Sequence, residues 1–183
     1  MVGGTENLYD LRQLVQAVTN GWGSGGITTT VSSIVAMSVA GAYTTGDYIG
    51  TSITPQFFPL AVKDRSKTGI IKTITIADKT TTTAVDLQLW LFTTTFVAPT
   101  DNAAWAITDA EAFTCIGVIP ITATASATTG WYASSNNKVY FDGTQSVVIK
   151  PNTTSLYYAL VAKGSTPTWT SGDLQITLGI LQD

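Results

Sequence analysis

The chain has 183 residues, enough for one domain and a short additional arm. Hydrophobic residues make up 44% and charged residues only 11%, a balance that excludes intrinsic disorder and implies an exterior covered in part by other protein. A net charge of −3 with nine scattered Lys and Arg residues leaves no basic stripe to neutralise phosphates, so no nucleic-acid partner is expected.

At the N-terminus, Thr5 can cap a helix, and Leu8, Leu11, Leu14 or Val15, and Val18 recur at helical spacing. Gly21, Gly23, Gly25 and Gly26 then surround Trp22 and Ser24, which reads as a flexible linker. Residues 1–26 are therefore expected to be a helical arm plus linker, and 27–183 a β domain. A helix this short is marginal in water, so its apolar stripe needs a surface to lie on. That surface is the chain's own β domain, a sister subunit or a foreign protein. No basic patch followed by a long apolar run opens the chain, so neither a secretion signal nor a membrane span is expected.

From Ile27 onward the signal is that of strands. Val31 to Ala42 is apolar and β-branched, and Tyr43 to Asp47 marks a turn before a strand at Tyr48 to Ile53. Gln56 to Val62 carries Pro59 and follows Pro55, which predicts an edge or irregular segment. Ile74 and Ile76 alternate with threonines, the period of a half-buried strand. In the next strand Val85, Leu87, Leu89 and Leu91 line one face, while Asp86, Gln88, Trp90 and Phe92 line the other. Trp90 and Phe92 would each lose roughly 2 kcal/mol in water, so a loop, a second sheet or another subunit must cover them.

Thr93 to Trp105 reads as a loop, and Thr108-Asp109-Ala110-Glu111 fits a capping box that starts one helical turn through Phe113. Cys115 to Ile121 is a strand interrupted at Pro120, with Cys115 a buried, inert thiol. Ala123 to Thr129 is a small-residue loop. Val139 to Phe141, Val147 to Ile149, Leu156 to Ala162 and Leu174 to Leu181 complete the strands. Eight to ten short strands, with a turn signal roughly every ten residues, predict an all-β fold, an antiparallel two-sheet β-sandwich of jelly-roll-like kind. Threonine fills roughly one position in six, and its branched, wettable side chain suits the outer face of such sheets.

Chemistry is hard to place on this chain. Histidine is absent, which removes the commonest general base and the commonest neutral metal ligand. Asp78, Asp86, Asp101, Asp109, Glu111 and Asp173 fall mostly in turns or at a helix start, where carboxylates satisfy backbone donors. No enzyme, cofactor or metal site is expected. Trp22, Trp105, Trp131 and Trp169 lie in or near predicted loops, where an aromatic ring can stack on a sugar or anchor an interface.

Several blocks in order resemble a family of small tailed-phage structural proteins. They are Tyr48-Ile49-Gly50, Thr68-Gly69-Ile70-Ile71, Asp78-Lys79 and Asp86 to Phe92, then Asp101-Asn102-Ala103-Ala104, Ile107 to Ala110 and Ile116 to Ile119. The closing stretch, Leu156 to Val161 through Thr166-Pro167-Thr168 to Asp173–Asp183, is the closest part. By analogy with jelly-roll capsid decoration (cement) proteins, the resemblance implies a homotrimer on the outer capsid, made in the host cytoplasm and bound to the major capsid protein. The arm before Gly21 is not part of the pattern. The partner-facing residues expected are Leu8, Leu11, Leu14, Val15, Val18, Trp22, Trp90 and Phe92. The alternative is a tail, baseplate or fibre-head protein that binds a host-surface glycan through the loop tryptophans.

Overall fold

The computed structural model describes residues 27–38, 41–63, 68–80, 84–124, 129–133, 137–164 and 166–182. The expected arm and linker, with Leu8, Leu11, Leu14, Val15, Val18 and Trp22, lie outside the described residues.

The described chain is nearly all β and its sheets are antiparallel. One sheet contains β1 (Ile27–Ile34), β13 (Leu174–Gln182), β5 (Gly69–Asp78), β9 (Lys138–Asp142) and β8 (Thr129–Ala133) in that order, with β10 (Val147–Ile149) also pairing β5. The other runs β3 (Tyr48–Ile49), β11 (Leu156–Ala162), β6 (Leu87–Phe92), β7 (Cys115–Ile121), with β4 (Gln56–Phe58) pairing β11. A two-stranded ribbon joins β2 (Gly41–Ala42) to β12 (Thr168–Trp169).

The pairings are nested. Near the chain's described ends β1 pairs β13, inside them β3 and β4 pair β11, then β5 pairs β9 and β10, and at the centre β6 pairs β7. The described strands thus follow one long hairpin whose successive pairs fall alternately in the two sheets, apart from the β2–β12 ribbon and the added strand β8.

Alternation dictates which side chains meet. Ile74, Ile76, Leu174, Ile176 and Leu178 from the six-stranded sheet share one buried cluster with Leu87, Leu89, Leu91, Leu156 and Leu160 from the other. Each such side chain, fully removed from water, contributes about 1.5–3 kcal/mol, which makes this cluster the main source of stability. Polar ties cross it. The Tyr158 hydroxyl bonds Ser33 Oγ and Gln56 Oε1, each at 3.0 Å, and the Ala36 N–H donates to the same Gln56 oxygen at 3.0 Å. Tyr158 is fully buried, and burial pushes its phenol well above the ordinary range. At the other end, Lys138 Nζ lies 3.2 Å from Asp78 Oδ2, with both side chains nearly water-free. Trp169 Nε1 donates to that carboxylate at 3.2 Å and Thr80 N–H at 2.8 Å, so the charge is well satisfied.

Several sequence expectations are corrected. The apolar run after Val31 is not one strand: β1 ends at Ile34, and the next described strand is β2 at Gly41–Ala42. Pro120 does not interrupt β7, because β7 is an edge strand and a residue without an N–H is tolerated there. Thr129–Ala133 is a strand, β8, where only a loop residue had been expected. Cys115 is half-buried, its thiol donating weakly to Gly117 O at 3.6 Å.

Candidate interaction surfaces

The two sheets present very different outer faces. On the sheet built around β11 and β6, the outward residues Tyr48, Phe92 and Ala159 form a second buried cluster with Phe96 and Ala98, and Trp90, Trp105, Ile107 and Tyr157 pack against it. Phe92 and Phe96 rings lie 4.5 Å apart, and Trp105 contacts Tyr48, Trp90, Phe92 and Phe96 at 5.7–6.2 Å between centroids. Phe92 is therefore buried by its own chain and Trp90 is half-buried, so no neighbouring subunit is required to cover them.

The cover is the segment 93–107, held down at many points. Tyr48 N–H donates to Ala103 O at 2.8 Å, Asn102 N–H to Tyr48 O at 3.0 Å and Trp105 N–H to Gly46 O at 2.7 Å. The buried Asp101 carboxylate accepts from the Tyr43 hydroxyl at 3.0 Å and from Gly50 N–H at 3.1 Å. Burial, then this carboxylate, holds the Tyr43 phenol far above its usual range. The helix α1 (Asp109–Ala112) has the expected capping box: Thr108 Oγ1 accepts from Glu111 N–H at 3.3 Å and Glu111 Oε2 from Thr108 N–H at 2.8 Å. The second Glu111 oxygen accepts from Val97 N–H at 2.7 Å, which staples the cover to α1. The backbone bonds from Thr108 and Val97 hold this carboxyl below the usual glutamate range.

An apolar rim surrounds this cover. Ile53, Val97 and Phe113 are 73%, 70% and 90% exposed. Ile53, a β-branched residue, has φ 74° and forms an isolated bridge with Ala98, while Leu60, also exposed, has φ 53°. Left-handed backbone at a β-branched residue costs about 1–3 kcal/mol and is found most often where function holds it in place.

The outer face of the six-stranded sheet has no cover among the described residues. Read across the strands, one row is Ile34, Gln175, Ala77, Val139 and Tyr132, and the next is Ser32, Thr177, Thr75, Phe141 and Gly130. Further along, Leu181, Ile70 and Val148 form another. Ile34, Val148 and Tyr132 are 61%, 61% and 50% exposed, and Val139 and Phe141 are more than a third exposed. The other charged residues of these strands, Asp78, Lys138 and Asp142, are buried, so Lys72, in the extra position opposite the bulge at Gly179/Ile180, is the one exposed charge on them.

Asp78, Asp142, Asp47 and Asp173 each accept a nearby threonine N–H and hydroxyl in a turn. Burial pushes the Asp142 carboxyl up, but bonds from Thr144, Gln145 and Tyr140 outweigh it and hold it below the ordinary range. Across that bond, burial and the Asp142 charge push the Tyr140 phenol up to about 12. No group of three or more acidic or cysteine side chains suited to a metal occurs among the described residues, nor a helix long and apolar enough to cross a membrane.

Trp169 is fully buried and Trp131 nearly so, its Nε1 donating to Val85 O at 3.2 Å. Trp105 is half-buried in the aromatic cluster, so neither of the first two offers an open ring to a sugar. The sheet face with its single exposed charge was missed in the sequence because its residues are dispersed over six strands. The alternation of Thr and Ser with apolar residues in β1, β5 and β13 was the signal that could have found it. No protein-family model matches the chain, and no curated protein is significantly similar to it.

Proposed function

We propose that the chain is a structural protein of a tailed phage, a capsid decoration protein that binds the outside of the head as a homotrimer and stabilises the shell. The observation that carries this reading is the broad sheet face bearing a single exposed charge, on a chain with only 11% charged residues. A monomer living in water has no physical use for such a face, whereas an assembly subunit buries it. The nested pairing, with successive strand pairs alternating between two sheets that share one core, supports a jelly-roll sandwich, an architecture common in capsid proteins.

In this reading the arm of residues 1–26 docks on the major capsid protein through Leu8, Leu11, Leu14, Val15 and Val18, and the exposed Ile53 and Val97 rim adds contacts. Three arms per trimer multiply weak contacts into avid binding. Contacts available only on the expanded shell stabilise that state by linkage. The burial of Trp131 and Trp169 weighs against the glycan-binding alternative.

The test is co-sedimentation of the full chain with purified expanded heads lacking it. Saturable binding that raises the temperature of head disruption is expected, and Leu11→Asp with Leu14→Asp should abolish it. Failure of the full chain to bind heads, with specific retention by a host-surface polysaccharide, would replace this reading with the tail-fibre one.

A further inference from the structure

We infer that the outer face of the six-stranded sheet is covered by a second copy of this chain. The inference deepens the homotrimer reading by assigning the self-contact to one face, and it does not depend on capsid binding.

Three observations favour a sister copy over a foreign partner or a membrane. First, the exposed side chains there are neutral apart from Lys72, so packing such faces against one another about a shared axis creates almost no like-charge repulsion and desolvates few charges. A face built for an acidic or basic partner would carry the opposite charge. Second, the size fits. At about 4.8 Å between strands and about 3.3 Å per residue, the 40 residues of the six strands give about 630 Å² of flat area. Corrugation by side chains raises this towards the roughly 800 Å² that each partner contributes to a standard interface. Third, the composition fits. Phe141 and Tyr132 supply rigid aromatic anchors, and the surrounding Thr75 and Thr177 lose little rotamer freedom when ordered. The other sheet has already sealed its outer aromatic residues with its own segment 93–107, so it leaves only a rim for other contacts.

The experiment is sedimentation equilibrium of the full chain, compared with Val139→Lys, Phe141→Lys and, as a control on the opposite side, Phe113→Lys. Circular dichroism melting establishes that each variant is folded. The expected result is a self-associated wild type whose dissociation constant rises at least about thirtyfold in either face variant and is unchanged in the control. Should either face variant fail to fold, the milder Val139→Thr, which keeps the branched shape, is expected to weaken association in the same direction. A trimer that dissociates this way supports both the inference and the proposed function. A dimer that does so supports the inference and contradicts the trimer. A monomeric wild type at all concentrations overturns the inference, as does an oligomer weakened by Phe113→Lys but not by the face variants.

Discussion

The two outer faces of this protein solve the same problem differently. On one sheet, Trp90 and Phe92 are roofed by the chain's own segment 93–107, pinned by Asp101 and Glu111. On the other, Ile34, Tyr132, Phe141 and Val148 stay open among the described residues, with Lys72 the single exposed charge on their strands. The difference shows that aromatic content alone does not mark an interface. What marks it, in the proposed reading, is apolar surface that no described residue covers.

Substitutions should therefore separate the faces by what they damage. The largest effect is expected from Phe92→Ala, which empties the centre of the roofed cluster and should cost about 3–5 kcal/mol in urea unfolding. If the loss is below about 1 kcal/mol, the roof is not packed as described. Gly50→Ala comes next. A Cβ there would sit 2.3 Å from Tyr48 Oη and 2.7 Å from Gln56 Nε2, both on buried residues, so about 1–3 kcal/mol of overpacking is expected.

Thr108→Ala removes the cap and should cost about 1 kcal/mol at neutral pH. Its pH dependence sharpens the point. Glu111 titrates lower in the folded state, so its contribution is complete above the ordinary glutamate range and disappears as pH falls through the depressed value. The difference between wild type and Thr108→Ala should accordingly shrink in acid; a constant difference would detach the cap from this carboxylate. The smallest effect is expected on the open face, where Phe141→Thr should change the unfolding free energy of the dissociated monomer by within about 0.5 kcal/mol. A large loss there would mean that Phe141 serves the fold and not a partner.

Local physics made part of this legible in the sequence. The alternation in β5, β6 and β13 located those strands and correctly divided Leu89 and Leu91 from Trp90 and Phe92. The Thr108–Glu111 box announced α1 from four residues. What escaped was non-local. The roof depends on Asp101 meeting Tyr43 and Gly50, 58 and 51 residues away, and no periodicity encodes that meeting. Strand β8 was hidden behind a small-residue run, and Trp131, read as a loop residue, is buried because its indole finds Val85 O, 46 positions away. The open face escaped for the same reason, since each strand contributes only a few of its residues.

Electron cryomicroscopy of heads decorated with the full chain would show both faces at once. Three copies around a common axis are expected, with their six-stranded sheets turned towards one another and the Ile53–Val97 rim nearer the shell. Isolated copies on the head, with Phe141 and Val148 facing solvent, would contradict this arrangement.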